Sequence, residues 1–280
     1  MMRSITRLLI VILLAALVAG CGVRMAYNNL DRLMLRWIDN QVSLDAEQES
    51  TARAMIEHHL DWHCASELPD YADWLLEVDA DIGSDRISVD VLRGHAETMA
   101  GFWQRLLDSI RPSIIEIIVE LDDEQVEQLR EAFEERNAEL DEQAELEEDQ
   151  RREQRVERME RGLRRFLGRL DREQRGRLEK WAGELIPTDE SHLEQTLQWQ
   201  ESFFDVIDQR RDPDFTEIVA PLIDPGGNWS SEHRELMEYN RDRTIEALVD
   251  IHHLASERQI DRLRSRVTSL ASDFERLTCR

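Results

Sequence analysis

The sequence predicts an all-α protein: a multi-helix bundle with a long, charged, partly coiled-coil-like helical arm. Three observations lead there. Apolar residues recur at i, i+3 and i+4 through most of the chain. Glycine and proline, 11 and 6 of 280 residues, gather between those periodic stretches. No segment alternates with the period of two that a half-buried strand requires.

The first element stands apart from the bundle. Arg3 and Arg7 precede an unbroken apolar run over 8–18, too short to span a bilayer but of the right length for the core of a secretory signal. Val18-Ala19-Gly20-Cys21 follows at once and resembles the bacterial lipobox, in which the cysteine is lipidated and the chain is cut before it. The expectation is therefore a signal peptide over 1–20, acyl chains (palmitate among them) on Cys21, and a helical periplasmic domain over 21–280. Gly22 takes the place where an aspartate would favour inner-membrane retention, so the expected location is the outer membrane, facing the periplasm.

Helical spacing then runs through Leu30, Leu33, Met34, Trp37 and Ile38, and again through Ala52, Met55, Ile56, His59, Leu60 and His63. Pro69 is expected to end or kink this second helix, because proline lacks the N–H and its ring meets the preceding turn. A short helix over 73–81 closes at Gly83. Ser88 opens a long one through Phe102, Trp103, Leu106 and Leu107, kinked at Pro112. The next, from about 122 to 167, forms the charged arm. Its first part, 122–149, carries fourteen acidic residues and two arginines; 151–165 carries seven arginines and three glutamates. Between Asp141 and Arg155 only Ala144 and Leu146 are apolar, so nothing faces a core and ion pairs four residues apart must support the helix. Val156, Met159, Leu163, Phe166 and Leu170 restore a 3-4-3-4 seam. Opposite charge in the two halves would let a second copy pair antiparallel as a homodimer. Helices over 189–210, from Ser230 or Ser231 to about His253, and through Ile260, Leu263, Val267, Leu270, Phe274 and Leu277 complete the chain. Prolines 187, 213, 221 and 225 punctuate this part.

A short motif recurs at the helix starts. Residues 44–48 read LDAEQ, 121–125 LDDEQ and 170–174 LDREQ, with a degenerate ASERQ at 255–259. Asp or Ser followed three residues later by Gln is the spacing of a capping box, in which each side chain bonds the other residue's backbone N–H.

Composition narrows function. The formal net charge is −25, and removing Arg3 and Arg7 makes the mature chain more acidic still. Such a chain is repelled by phosphate backbones and by anionic lipid surfaces, which argues against a nucleic-acid partner. Besides Cys21 only Cys64 and Cys279 remain; in an oxidising periplasm they are either a disulfide or two unpaired thiols. His59 and His63 lie four residues apart on one helix face, the spacing of a metal pair, yet they also continue an apolar stripe, as interface histidines would. No third ligand is signalled, and no nucleophile elbow, phosphate loop or dinucleotide fingerprint is present. No cofactor and no enzyme activity are expected.

The helix-start motif resembles the L-T-x-x-Q element of Spy/CpxP-type periplasmic helical chaperones, with aspartate in place of threonine. A broader resemblance rests on the lipobox, Ala26-Tyr27-Asn28-Asn29, Trp62-His63 and Glu67-Leu68-Pro69-Asp70-Tyr71-Ala72. With these the chain is similar to a family of uncharacterised proteobacterial lipoproteins containing a domain of unknown function. It implies a membrane-tethered helical protein and supplies no chemistry. The expected role is to bind another envelope protein as a scaffold or chaperone; the rival is a metal-dependent hydrolase built on His59 and His63.

Overall fold

The computed structural model describes residues 25–277 and 279. Among them are eleven α-helices and no strand: α1 Leu30–Asp39, α2 Ala46–Trp62, α3 Leu68–Gly83, α4 Val89–Val119, α5 Asp123–Ala144, α6 Glu148–Leu167, α7 Arg172–Glu184, α8 Asp189–Ile207, α9 Phe215–Val219, α10 Ser231–His253 and α11 Glu257–Glu275. A π turn, His63–Glu67, joins α2 to α3, and two 3-10 turns, Ala220–Ile223 and Pro225–Asn228, lie between α9 and α10.

Pro69 does not end the helical run. It sits at the start of α3, and the backbone passes from α2 to α3 through the π turn, where the Leu68 N–H bonds the His63 carbonyl. The wider turn makes room for a ring that would otherwise press on the preceding turn, and it adds a residue to the run. The helix from Ser88, whose hydroxyl accepts from the Val91 N–H, continues through Pro112.

The charged arm is also different from the single helix expected. It is two helices, α5 and α6, separated at 145–147. The charges account for the break. Asp141, Glu142 and Glu145 crowd the negative end of one helix dipole and repel along the helix, whereas Glu148 and Asp149 sit favourably in the first turn of the next. Neither helix is a free arm. Phe133 of α5 packs on Trp199, Phe203 and Phe204 of α8. The 3-4-3-4 seam of α6 is covered within the chain by Leu178 and Trp181 of α7, with Leu263 of α11. Arginines do the rest: Arg152 and Arg155 donate to the Glu179 and Ala182 carbonyls in the last two turns of α7, at 3.0 and 3.4 Å. Arg152 lies so close over Gly183 that an added Cβ would sit 2.7 Å from it. Gly168, with φ 79°, ends α6 and turns the chain toward α7.

The four helix-start motifs all form complete capping boxes, at the N-termini of α2, α5, α7 and α11. Each stands at the turn between two successive helices, α1/α2, α4/α5, α6/α7 and α10/α11, of which α1/α2 and α6/α7 pack on each other as hairpins. The element order repeats, with α3 inserted in the first half and α8 with α9 in the second. The inserts are exchanged, since α3 packs along α11 and α8 along α5, while α4 meets α10 between the halves. The apolar interior is accordingly divided into four clusters rather than one core.

Candidate functional site

Two arrangements bring polar groups together in ways that the helix pattern alone does not dictate. The first is the pairing of the tips of these helix-to-helix turns. Gln48 Oε1 accepts from the Asp45 N–H, closing its own box, and Gln125 does the same for Asp122, both at 3.0 Å. Their amides then meet: Gln48 Nε2 donates to Gln125 Oε1 at 2.9 Å and Gln125 Nε2 to Gln48 Oε1 at 2.6 Å. Each Nε2 also donates across the tip, to the Glu120 and Ser43 carbonyls, both at 2.8 Å. Every donor and acceptor site of both amides is thereby used. Gln174 and Gln259 repeat the exchange at 3.2 and 3.0 Å, and Gln259 reaches the Arg169 carbonyl at 3.1 Å. Gln174 is fully buried, so an unpaired amide there would be costly. Arg210, also buried, ties the first tip to the end of α8 by donating to the Leu121 carbonyl at 2.7 Å and pairing with Asp123.

The second arrangement surrounds the π turn. Cys64, inside that turn, is bonded to Cys279, with Cα atoms 5.5 Å apart. The side chain of Glu67, 4 % exposed, accepts two parallel bonds from Arg105 of α4, each 2.9 Å; Arg105 itself is 45 % exposed and also holds Asp70. A bidentate, charge-assisted pair of this kind compensates a buried carboxylate. Tyr71 packs between His63 and Phe102, its ring 5.4 and 4.6 Å from theirs. Its hydroxyl is pushed well above the ordinary phenol range, first by burial and then by the Glu67 carboxylate.

The two candidate metal histidines face different partners. His59 places its ring nitrogens on Ser113 and Ser109 of α4, at 2.8 and 3.3 Å. His63 Nδ1 meets the Tyr27 hydroxyl at 3.1 Å, and that hydroxyl donates to the Leu60 carbonyl at 3.0 Å. Burial lowers both histidines, His63 to about 4 despite an opposing pull from Glu67. Among the described residues no three His, Cys, Asp or Glu side chains gather as a metal-holding group. Cys21 and the segment before it lie outside the described residues.

The sequence placed Glu67 on the face of His59 and His63 but did not show its partner, and it did not single out Arg105 or His233. His233 is 2 % exposed, bonded through Nδ1 to Ser191 at 3.1 Å and packed against His192 and Trp229. The signal for it was Ser230 three residues earlier, whose hydroxyl caps the His233 N–H.

The fold and these sites define a class: an all-α protein whose helix-to-helix turns are joined by paired glutamines and which is bridged by a disulfide at a π turn. The comparisons agree at the level of family. A model described as "Family of unknown function (DUF6279)" matches residues 40–234, more than half of the chain, and the chain belongs to that family. No curated protein and no solved structure matches it.

Proposed function

We propose that the chain is a lipid-anchored periplasmic protein, held by Cys21 at the outer membrane, that binds another envelope protein as a scaffold or chaperone-like partner. The observation that carries this reading is the use made of the polar groups at the π turn. His59, His63, Glu67 and Tyr71 are each engaged by a neighbour in the same chain, as groups that fix packing are. The lipobox and the basic, then apolar, leader support the anchoring.

Crosslinking in intact cells, followed by recovery of the tagged protein, tests the role. A discrete envelope protein recovered with the parent and lost with Cys21→Ser is the expected result. Stoichiometric zinc in the purified protein, lost on His63→Ala, would replace this reading with a metal-dependent hydrolase.

A further inference from the structure

Of the exposed apolar residues, two lie at the N-terminal edge of the described chain. Met25 is 68 % exposed and Leu33, on α1, 51 %. Trp37, one turn after Leu33 and on the same side, is half-buried and belongs to none of the four apolar clusters. The neighbouring stripe of α1 carries Arg32 and Arg36, both exposed and without an ion pair among the described residues. Asp31, on the same helix, is buried; the exposed carboxylates that follow in sequence are Asp39, at the end of α1, then Asp45, Glu47, Glu49 and Glu57 at and along α2. Of the exposed charged side chains of α1, two are arginines and one, Asp39, is acidic, so in a chain of net charge −25 this helix carries a small local excess of positive charge beside exposed Leu33.

We infer that this side of α1 lies on the phospholipid surface, with Leu33 and Trp37 entering the headgroup region and Arg32 and Arg36 on lipid phosphates. The inference rests on lipidation of Cys21. Met25 is four positions after Cys21, a reach of about 14 Å even fully extended. By Tyr27 the chain is already fixed to the domain, through the Leu60 carbonyl and the ring of His63. The tether is therefore too short to hold α1 clear of the bilayer. Tryptophan is at home in the interface, and arginines near an anionic surface are attracted to it. The acidic remainder of the molecule is repelled by the same surface, which sets the orientation.

The test uses the lipidated full chain in vesicles of phosphatidylethanolamine and phosphatidylglycerol, with and without bromine on the upper part of the acyl chains. The Trp37 fluorescence is taken as the difference between parent and Trp37→Phe. At least twofold quenching by the brominated lipid is expected. Arg32→Glu with Arg36→Glu should weaken it while the protein still floats with the vesicles. An unquenched Trp37 in protein that floats would overturn the inference and leave the anchor intact. Protein that takes up no labelled fatty acid at Cys21 would overturn both.

Discussion

At the residue scale the π turn is the most sensitive place in the molecule. Burial holds the folded His63 near 4, below its ordinary 6.5, so between those values the unfolded chain binds a proton that the folded chain does not. Stability is thus complete above about pH 6.5 and falls as pH drops toward 4. The expected loss by pH 5 is roughly 1–2 kcal/mol. Urea unfolding at pH 7 and pH 5 should show His63→Phe losing less than the parent; equal losses would mean that His63 is not the titrating group. The Glu67–Arg105 pair gives a second expectation. Arg105→Met strands a buried carboxylate and should cost about 2 kcal/mol, less than a fully buried pair because Arg105 is half exposed. Glu67→Gln should cost less, because it leaves no buried charge without a partner; equal losses in urea unfolding would remove the pair from the account. None of this pairing was legible in the sequence. Glu67 continues the face of His59 and His63, but Arg105 is far away along the chain, and nothing local names it as the partner.

At the scale of elements, the helix starts were legible because a capping box is local: its two residues are three apart and bond each other's backbone. The meeting of Gln48 with Gln125 was not, since nothing within one motif names its partner 77 residues away. A double-mutant cycle on Gln48→Ala and Gln125→Ala should return a coupling of about 1 kcal/mol, while Gln48→Ala and Gln174→Ala, on different tips, should add. The absence of coupling in the first cycle would reduce the contact to two independent caps. Pro69 and the charged stretch show the opposite limit. The proline was visible, but the π turn that accommodates it depends on a neighbouring chain packed through Cys64 and Leu68. The missing stripe between Asp141 and Arg155 was visible too. What it concealed was that arginines reaching the carbonyls of α7 dock the stretch of α6 that lacks an apolar stripe, beside the seam that has one.

At the scale of the whole molecule, the halves exchange their inserted helices, so α3 and α8 each complete the other half's packing. Severing the halves should unfold both rather than liberate two domains. The disulfide reinforces this by enclosing 215 residues. In the chain-entropy model so long a loop contributes at most about 5 kcal/mol. Cys64→Ser with Cys279→Ser should lower the melting temperature, and the parent, denatured without reductant and carrying Cys21→Ser, should titrate no free thiol; two thiols would remove the bridge. The same bond has a mechanical consequence. If the protein is held at its N-terminus and pulled at its C-terminus, tension crosses from Cys64 to Cys279 directly. Only the chain before Cys64 pays out, roughly 130 Å from residue 25, while about 700 Å of backbone between the cysteines bears no load. The Gln174–Gln259 pairing and the helices between the cysteines would stay enclosed under a pull that strips away α1 and α2 and with them the Gln48–Gln125 pairing, and reduction alone would turn a short leash into a long one.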